Sequence, residues 1–553
     1  MTATATKNHP AGPGPIGESA AFNHRSLRTW QRRALAAAAE WRSGPFLIAA
    51  APGAGKTRPA LVLARELLRR GEIDRIAIVC PTAPLTRQWA SAAAIGGLHL
   101  QPDASSLRPS DDFNGIAVTY ARAAAAATTY ARECTRRTLV IADEVHHLGG
   151  ELAWGEGFIR SFGNAERLLL LSGTPFRSDD APIPGIRYDR DGFARPDVSY
   201  SYAEAIRDGA CRRVAFVAFD GTLVWKSGED IYESSFEEEL SSRERGRRYR
   251  TAISTELPEG LPRILRQADA QLTKVRAAGH RDAGGLVVAS DSAHARVIAA
   301  VLSEICRRHP TLILHQDSGA HQRLREFANS DSRWIVAVNM VSEGVDIPRL
   351  RVGVYATTAK TAMIFRQIVG RFVRTGAGTD GPSWLYLPAE PVLRAHATKI
   401  EDEIHRVVDR RPGDAEADRM LELDQAEEPL QSERGEGDEF VALAADVVPQ
   451  MNLFGEPGDA SVQPPTFGAT TDGDGEFAAE PSREKPTFER RKDLRAERGR
   501  LVSELARLRG GDHREVNAWV NREVGISSVG EATIAQLRRS CDKLIEELLR
   551  VSR

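Results

Sequence analysis

Between residues 44 and 173 short apolar runs alternate with longer amphipathic segments. The runs are PFLIAAA (45–51), RIAIVCP (75–81), GIAVTYA (115–121), TLVIADE (138–144) and RLLLLSG (167–173). Runs of this length without polar alternation predict strands buried on both faces. The segments between them have helical spacing, as in TRPALVLARELLRR (57–70). Together they predict a parallel sheet covered by helices on both sides. A second series follows: GGLVVAS (284–290), TLILHQD (311–317), RWIVAVN (333–339), RVGVYAT (351–357) and SWLYLPA (383–389). The expected fold class is α/β, with two parallel-sheet domains in tandem.

The pattern breaks at three places, which sets the expected domain organisation. Residues 1–24 read as a flexible tail, 25–215 as the first α/β domain and 284–395 as the second. Between them, 216–283 is charged (FEEELSSRERGRRYR) and reads as a helical connector or inserted hairpin. Residues 401–440 hold 15 Asp/Glu against 5 Arg, and 450–486 are rich in Gly, Pro, Asp and Ser. Such composition cannot bury a core, so 396–487 reads as an acidic and then disordered linker. From 488 onward order is expected to return: Leu494, Leu501, Leu505 and Leu508 share one helical face, and two shorter helices follow around Trp519 and Leu537–Leu549. Residues 488–553 therefore predict a small helical accessory module.

Composition narrows the class. At 27% charged and 42% hydrophobic residues the chain has a soluble globular composition. No apolar run approaches the ~20 residues that span a bilayer. The first twenty residues lack a signal core, which leads to a cytoplasmic expectation. The five cysteines (Cys80, Cys134, Cys211, Cys306, Cys541) are far apart. That argues against a zinc site, an iron–sulfur cluster or a disulfide framework. The net charge of −2 is a balance of 74 Lys/Arg against 76 Asp/Glu, which leaves room for a basic binding face that the total does not show.

The candidate chemistry begins at FLIAAAPGAGKT (46–57), where an apolar strand enters a Gly-rich turn and a helix. Pro52, Gly53, Ala54 and Gly55 would let successive N–H groups face phosphate oxygens. Lys56 would reach the β- and γ-phosphates, and Thr57 would offer its hydroxyl to Mg²⁺ at the helix N-terminus. Ala50 stands where the phosphate loop usually has its first glycine, but it lies inside the strand, where no positive φ is demanded. TLVIADEVHH ends a strand with Asp143 and Glu144. A carboxylate there suits the Mg²⁺ partner of the loop, and the adjacent glutamate suits activation of the attacking water. Taken alone, Asp143-Glu144 reads as a solvated loop end and His146-His147 as a surface pair. A zinc reading of the histidines fails on spacing, since adjacent histidines point apart.

These stretches resemble the boxes of superfamily-2 DEAD/DEAH-type (DExH) helicases. DEVHH is similar to the Walker B box, and the family's A-x-x-G-x-G-K-T loop carries an alanine where Ala50 stands. LRTWQ (27–31) resembles the adenine-reading glutamine motif, with Gln31 in that role. PTAPLTRQW (81–89) resembles motif Ia, SGTPFR (172–177) motif III, VNMVSEGVDIP (338–348) motif V and QIVGRFVR (367–374) motif VI. The boxes cover about residues 25–390. LRTWQ, DEVHH, SGTPFR and SEGVDIP look most like the branch of type III restriction subunits and related DNA translocases. YAEAIRDGACRR (202–213) resembles the segment joining the two domains in that branch.

The resemblance implies RecA-like domains, ATP with Mg²⁺ as cofactors, and nucleic acid as partner, DNA being favoured over RNA. It assigns Gln367, Arg371 and Arg374 to the catalytic arrangement, the arginines neutralising charge on the γ-phosphate. Taken alone, two helical arginines read as a solvated face. Gly344 and Asp346 fall near the ribose. His146, Ser172 and Thr174 fall in the relay between nucleotide and nucleic acid. Thr82, Arg87, Thr119-Tyr120 and Asn339 fall at backbone-contacting positions. Three alternatives remain open: an RNA helicase, the motor subunit of a restriction or defence complex with its nuclease on a partner chain, and a nucleotide-gated scaffold. The 488–553 module holds 15 Lys/Arg against 11 Asp/Glu. Its Arg490-Arg491-Lys492 and Arg538-Arg539 clusters suit phosphate contact, and a protein-docking bundle suits them equally.

Overall fold

The computed structural model describes residues 27–150, 152–173, 183–188, 194–314, 319–338, 347–375, 381–408, 440–449, 485–509 and 511–551. The expected tail and most of the expected linker lie outside these residues. The chain divides into two compact units, one drawn from 1–50, 55–199 and 473–553, the other from 51–54 and 200–472.

The first unit opens with α1 (Thr29–Glu40), β1 (Gly44–Ala50), α2 (Thr57–Arg69), β2 (Arg75–Cys80), α3 (Ala83–Ile95), β3 (Leu100–Pro102) and β4 (Gly115–Thr119). It continues with α4 (Tyr120–Ala125), α5 (Ala127–Glu133), β5 (Thr138–Asp143), α6 (His147–Gly150), α7 (Leu152–Phe162), β6 (Arg167–Ser172) and β7 (Val198–Tyr200). The strands form a sheet in the order β3-β4-β2-β5-β6-β1-β7. Pairings from β3 to β1 are parallel, with Ile48 opposite Leu171 and Ile141 opposite Leu169. All six residues of β5 are buried, the mark of a strand covered on both faces. The C-terminal ends of β1, β2, β4, β5 and β6 share one edge, where open α/β sheets bind ligands.

The second unit holds α8 (Tyr202–Arg207), β8 (Val214–Ser227), β9 (Asp230–Ser234), α9 (Ser242–Ala252), α10 (Leu261–Ala277), β10 (Gly284–Ala289), α11 (Ser292–Cys306) and β11 (Thr311–Ile313). It goes on through α12 (Ala320–Ala328), β12 (Trp334–Val338), β13 (Leu350–Ala356), α13 (Ala362–Phe372), β14 (Ser383–Pro388), α14 (Pro391–Val408) and β15 (Phe440–Pro449). Its sheet runs β11-β12-β10-β13-β14-β8-β15, parallel as far as β8. The expected helical connector at 216–283 is corrected here, because its first part is β8 and β9. β8 pairs in parallel with β14 through its first half, then joins antiparallel β9 and β15 through its second. Buried Trp225 stacks on Tyr232 across that ribbon at 5.6 Å. The expected linker is corrected likewise, since 440–449 is a paired strand.

The final helices are α15 (Thr487–Arg509), α16 (His513–Val524) and α17 (Ile534–Val551). They enclose their own core of Val502, Leu505, Val516, Val520, Leu537 and Leu544. They also belong to the first unit. Arg491 is 2% exposed and donates to Gln101 Oε1 (2.9 Å), Gly530 O (3.1 Å) and Ala532 O (2.6 Å), with its guanidinium over the Phe113 ring. Ile534 N donates to Asp112 Oδ2 at 2.8 Å, so a carboxylate of the sheet domain caps α17. Arg491 is therefore not a surface phosphate grip, although Lys492, Arg538 and Arg539 are exposed. Arg491→Ala leaves the buried Ala532 carbonyl and the half-buried Gln101 amide oxygen without this donor, while Gly530 O keeps Arg495. It is expected to destabilise the first unit by about 1–3 kcal/mol. A fall in melting temperature, with earlier proteolytic release of the last helices, checks this. Among the described residues, no helix is long and apolar enough to cross a membrane.

Candidate functional site

The phosphate loop leaves β1 at Ala50, the last strand residue, and re-enters regular structure at Thr57, the first of α2. Gly53 and Gly55 adopt φ +80° and +88°, which only glycine takes without strain. A Cβ at Gly55 would stand 3.1 Å from Gln31 Nε2. That amide donates to Gly55 O at 3.0 Å, while its Oε1 accepts from Arg28 N at 2.9 Å. Gln31 is 3% exposed and so holds the loop from below.

The end of β5 brings two carboxylates to the same edge. Asp143 is buried, which excludes the solvated loop end. Its Oδ2 accepts from Trp89 Nε1 at 2.8 Å, its Oδ1 from Glu144 N at 3.1 Å and its main-chain O from Tyr120 OH at 2.8 Å. Burial and the Glu144 charge push the Asp143 carboxyl up to about 6, against the pull of Lys56 and Trp89. Glu144 sits at φ +49°, a left-handed conformation that a non-glycine residue adopts at a cost. Val145 N donates to Leu171 O and His147 N to Glu144 O, which together hold that turn. Burial acts to raise the Glu144 carboxyl, but the charges of Lys56 and His146 and the Gly173 N–H outweigh it and bring it down to about 2. The contacts are Lys56 Nζ to Oε1 at 3.2 Å, His146 Nδ1 to Oε2 at 3.5 Å and Gly173 N to Oε2 at 3.3 Å.

His146 is 4% exposed, and its Nδ1 lies 3.3 Å from Ser172 Oγ, itself fully buried. The two histidine rings lie against one another at 4.5 Å, so neither the surface-pair reading nor outward-splayed rings holds. Among the described residues no group of three or more His, Cys, Asp or Glu could hold a metal by itself. The hydroxyl of Thr57 and carboxylate of Asp143 are hard oxygen donors. They fit Mg²⁺, which is bound through few protein oxygens together with water and phosphate.

The other expected residues scatter along the same edge or in the second unit. Thr82 and Thr119 cap α3 and α4 at the ends of β2 and β4. Arg87 is exposed and lies 3.5 Å from Asp103 Oδ2. Tyr120 is fully buried, so its expected backbone contact is corrected. In the second unit, α13 carries Gln367, buried Arg371 and, just beyond it, Arg374. Arg374 is bridged to Cys211, Arg212 N donates to Val373 O at 2.7 Å, and Thr375 Oγ1 donates to Ala210 O at 3.3 Å. Thr174, Asn339, Gly344 and Asp346 lie outside the described residues. Sequence reasoning gave Trp89 no role and Tyr120 only the backbone contact, and it missed that both donate to Asp143. Their only signal was that a buried indole N–H or phenol needs an acceptor.

Residues 24–177 match the family model of the type III restriction enzyme res subunit, and residues 280–376 match that of the helicase conserved C-terminal domain. The chain belongs to the superfamily-2 helicases, in the type III restriction-like branch. It is thus a nucleic-acid helicase or translocase that binds ATP and hydrolyses it. It is also 43% identical over 446 residues to the uncharacterized protein Rv2917 of Mycobacterium tuberculosis, covering 79% of this chain and 73% of that one. The uncharacterized protein ML1624 of Mycobacterium leprae is 41% identical over 402 residues, covering 71% and 67%. Among solved structures, the ATP-dependent type ISP restriction-modification enzyme LlaBIII bound to DNA aligns at 15% identity and a TM-score of 0.45. That alignment spans 66% of this helicase chain and 27% of the longer enzyme.

Proposed function

We propose that the protein is a DNA-stimulated ATPase that uses hydrolysis to translocate along or unwind DNA. The carrying observation is the Lys56–Glu144 pair beside buried Asp143, at the sheet edge that also presents Thr82, Arg87 and Thr119. Without nucleotide, Lys56 neutralises Glu144. An arriving γ-phosphate competes for that ammonium and frees the carboxylate to orient water and take its proton. Gly173 N–H and His146 keep Glu144 in place during the exchange. Thr57 and Asp143 would hold Mg²⁺, which when bound supplies charge neutralisation at the phosphates. Arg371 and Arg374 are the proposed fingers for charge developing on the γ-phosphate, and Gln367 aligns with them. Hydroxyl and arginine groups at Thr82, Arg87 and Thr119 suit tracking of a phosphate backbone without reading its sequence.

Steady-state ATP hydrolysis with single-stranded DNA, duplex DNA and RNA as stimulants tests this reading. DNA is expected to raise turnover at least about tenfold, equivalent to about 1.4 kcal/mol of barrier, with RNA well below it. Stimulation by RNA alone would replace the reading with an RNA helicase, and no stimulation by any of them would leave a nucleotide-gated scaffold.

A further inference from the structure

Helix α3 and the β4–α4 junction each present two different faces. On α3, Arg87 points to solvent, with its side chain 64% exposed. Two residues on, and so on the other side of the helix, Trp89 is 2% exposed and its indole N–H ends on the Asp143 carboxylate. At the junction, Thr119 caps α4 with its hydroxyl accepting from Arg122 N at 3.1 Å. The next residue, Tyr120, is fully buried, and its phenol ends on the Asp143 carbonyl. Its ring is fixed by Trp154 at 6.3 Å and Phe158 at 6.1 Å. A buried indole or phenol donor needs an acceptor, and any core carbonyl would serve. Here two elements that carry the candidate strand contacts both spend theirs on one residue, at two different atoms.

We propose that Trp89 and Tyr120 are positioning residues that couple nucleic-acid contact at α3 and α4 to the placement of Asp143 at the nucleotide site. The inference rests on the function proposed above. Trp89 N–H holds Oδ2 and Glu144 N–H holds Oδ1, so the carboxylate cannot rotate unless α3 moves. Tyr120 fixes the main chain of the same residue, so a shift of the β4–α4 junction moves Asp143 as well. Gripping a strand through Arg87 and Thr119 therefore changes the attitude of the carboxylate, and correctly bound nucleotide favours the gripping arrangement in return. Such coupling is reciprocal and is a property of binding equilibria, readable without hydrolysis.

The experiment measures single-stranded DNA affinity of the full chain with and without a non-hydrolysable ATP analogue and Mg²⁺, in the parent, Trp89→Phe, Tyr120→Phe and the double variant. The ratio of the two affinities is the coupling factor, ordinarily about 5–150 in such systems. Each single variant is expected to lower it about fivefold, while affinity for DNA alone and for nucleotide alone stays within about twofold. The double variant should lose little beyond the larger single loss, since both act through Asp143. Trp225→Phe is the control, because that buried indole donates to Glu244 at 2.7 Å in the other unit and should change stability only. Folded single variants with the parental coupling factor overturn the proposal. So does a Trp225→Phe loss equal to that of Trp89→Phe. If Trp89→Phe does not fold, Tyr120→Phe, which removes one oxygen, decides. A parent that binds no nucleic acid in either state instead sinks the proposed function itself.

Discussion

Glu144→Gln is expected to bind ATP while its turnover falls by about 10²–10⁴-fold, the usual contribution of a positioned proton acceptor. The amide keeps the volume and can still accept from Gly173 N, so the turn at φ +49° is not released. What disappears is the negative charge. Lys56 loses its 3.2 Å partner, so the phosphate no longer competes with Glu144 for that ammonium and nucleotide affinity should hold or rise. Lys56→Ala is the complement: it removes the phosphate ligand and leaves Glu144 without its cation, so binding and turnover fall together. Fluorescent-nucleotide titration beside single-turnover hydrolysis separates the two patterns. Parental turnover in Glu144→Gln would show that another group activates the water.

The parts of the site that were legible in sequence are those whose chemistry is local. A phosphate loop needs positive φ at fixed offsets between a strand and a helix, and Gly53 and Gly55 supply it within a dozen residues. The parallel strands were legible because burial on both faces leaves uninterrupted apolar runs, as in TLVIAD and RLLLLS. β8 was not, because beyond Asp220 it leaves the parallel sheet for an antiparallel ribbon. Its burial there is intermittent, and charged neighbours hid the strand. Arg491 was misread for a related reason. In a run of three basic residues it looks solvated, yet its acceptors come from residues 101, 530 and 532, which no local pattern connects. The hydrogen bonds from Trp89 and Tyr120 to Asp143 span 54 and 23 residues and were equally invisible.

Arg374→Ala is expected to lower nucleic-acid-stimulated turnover by about 10²–10³-fold, the cost of losing one preorganised donor to developing charge. Nucleotide affinity should stay within about twofold, because a group that meets only transition-state charge adds nothing to ground-state binding. The backbone around Arg374 is fixed within its own unit. Arg212 N donates to Val373 O at 2.7 Å, Tyr202 OH donates to Arg212 O at 2.8 Å, and Ser383 Oγ donates to Phe372 O at 2.9 Å. Truncating the side chain therefore removes a guanidinium from a framework that stays put. Arg374→Lys should recover little of the loss, since an ammonium offers a point charge where the guanidinium offers a planar fork matched to phosphate oxygens. Pre-steady-state hydrolysis with saturating DNA, beside equilibrium nucleotide binding, reads both quantities. A variant that loses nucleotide affinity but keeps its stimulated turnover would remove Arg374 from the catalytic arrangement and leave it a binding residue.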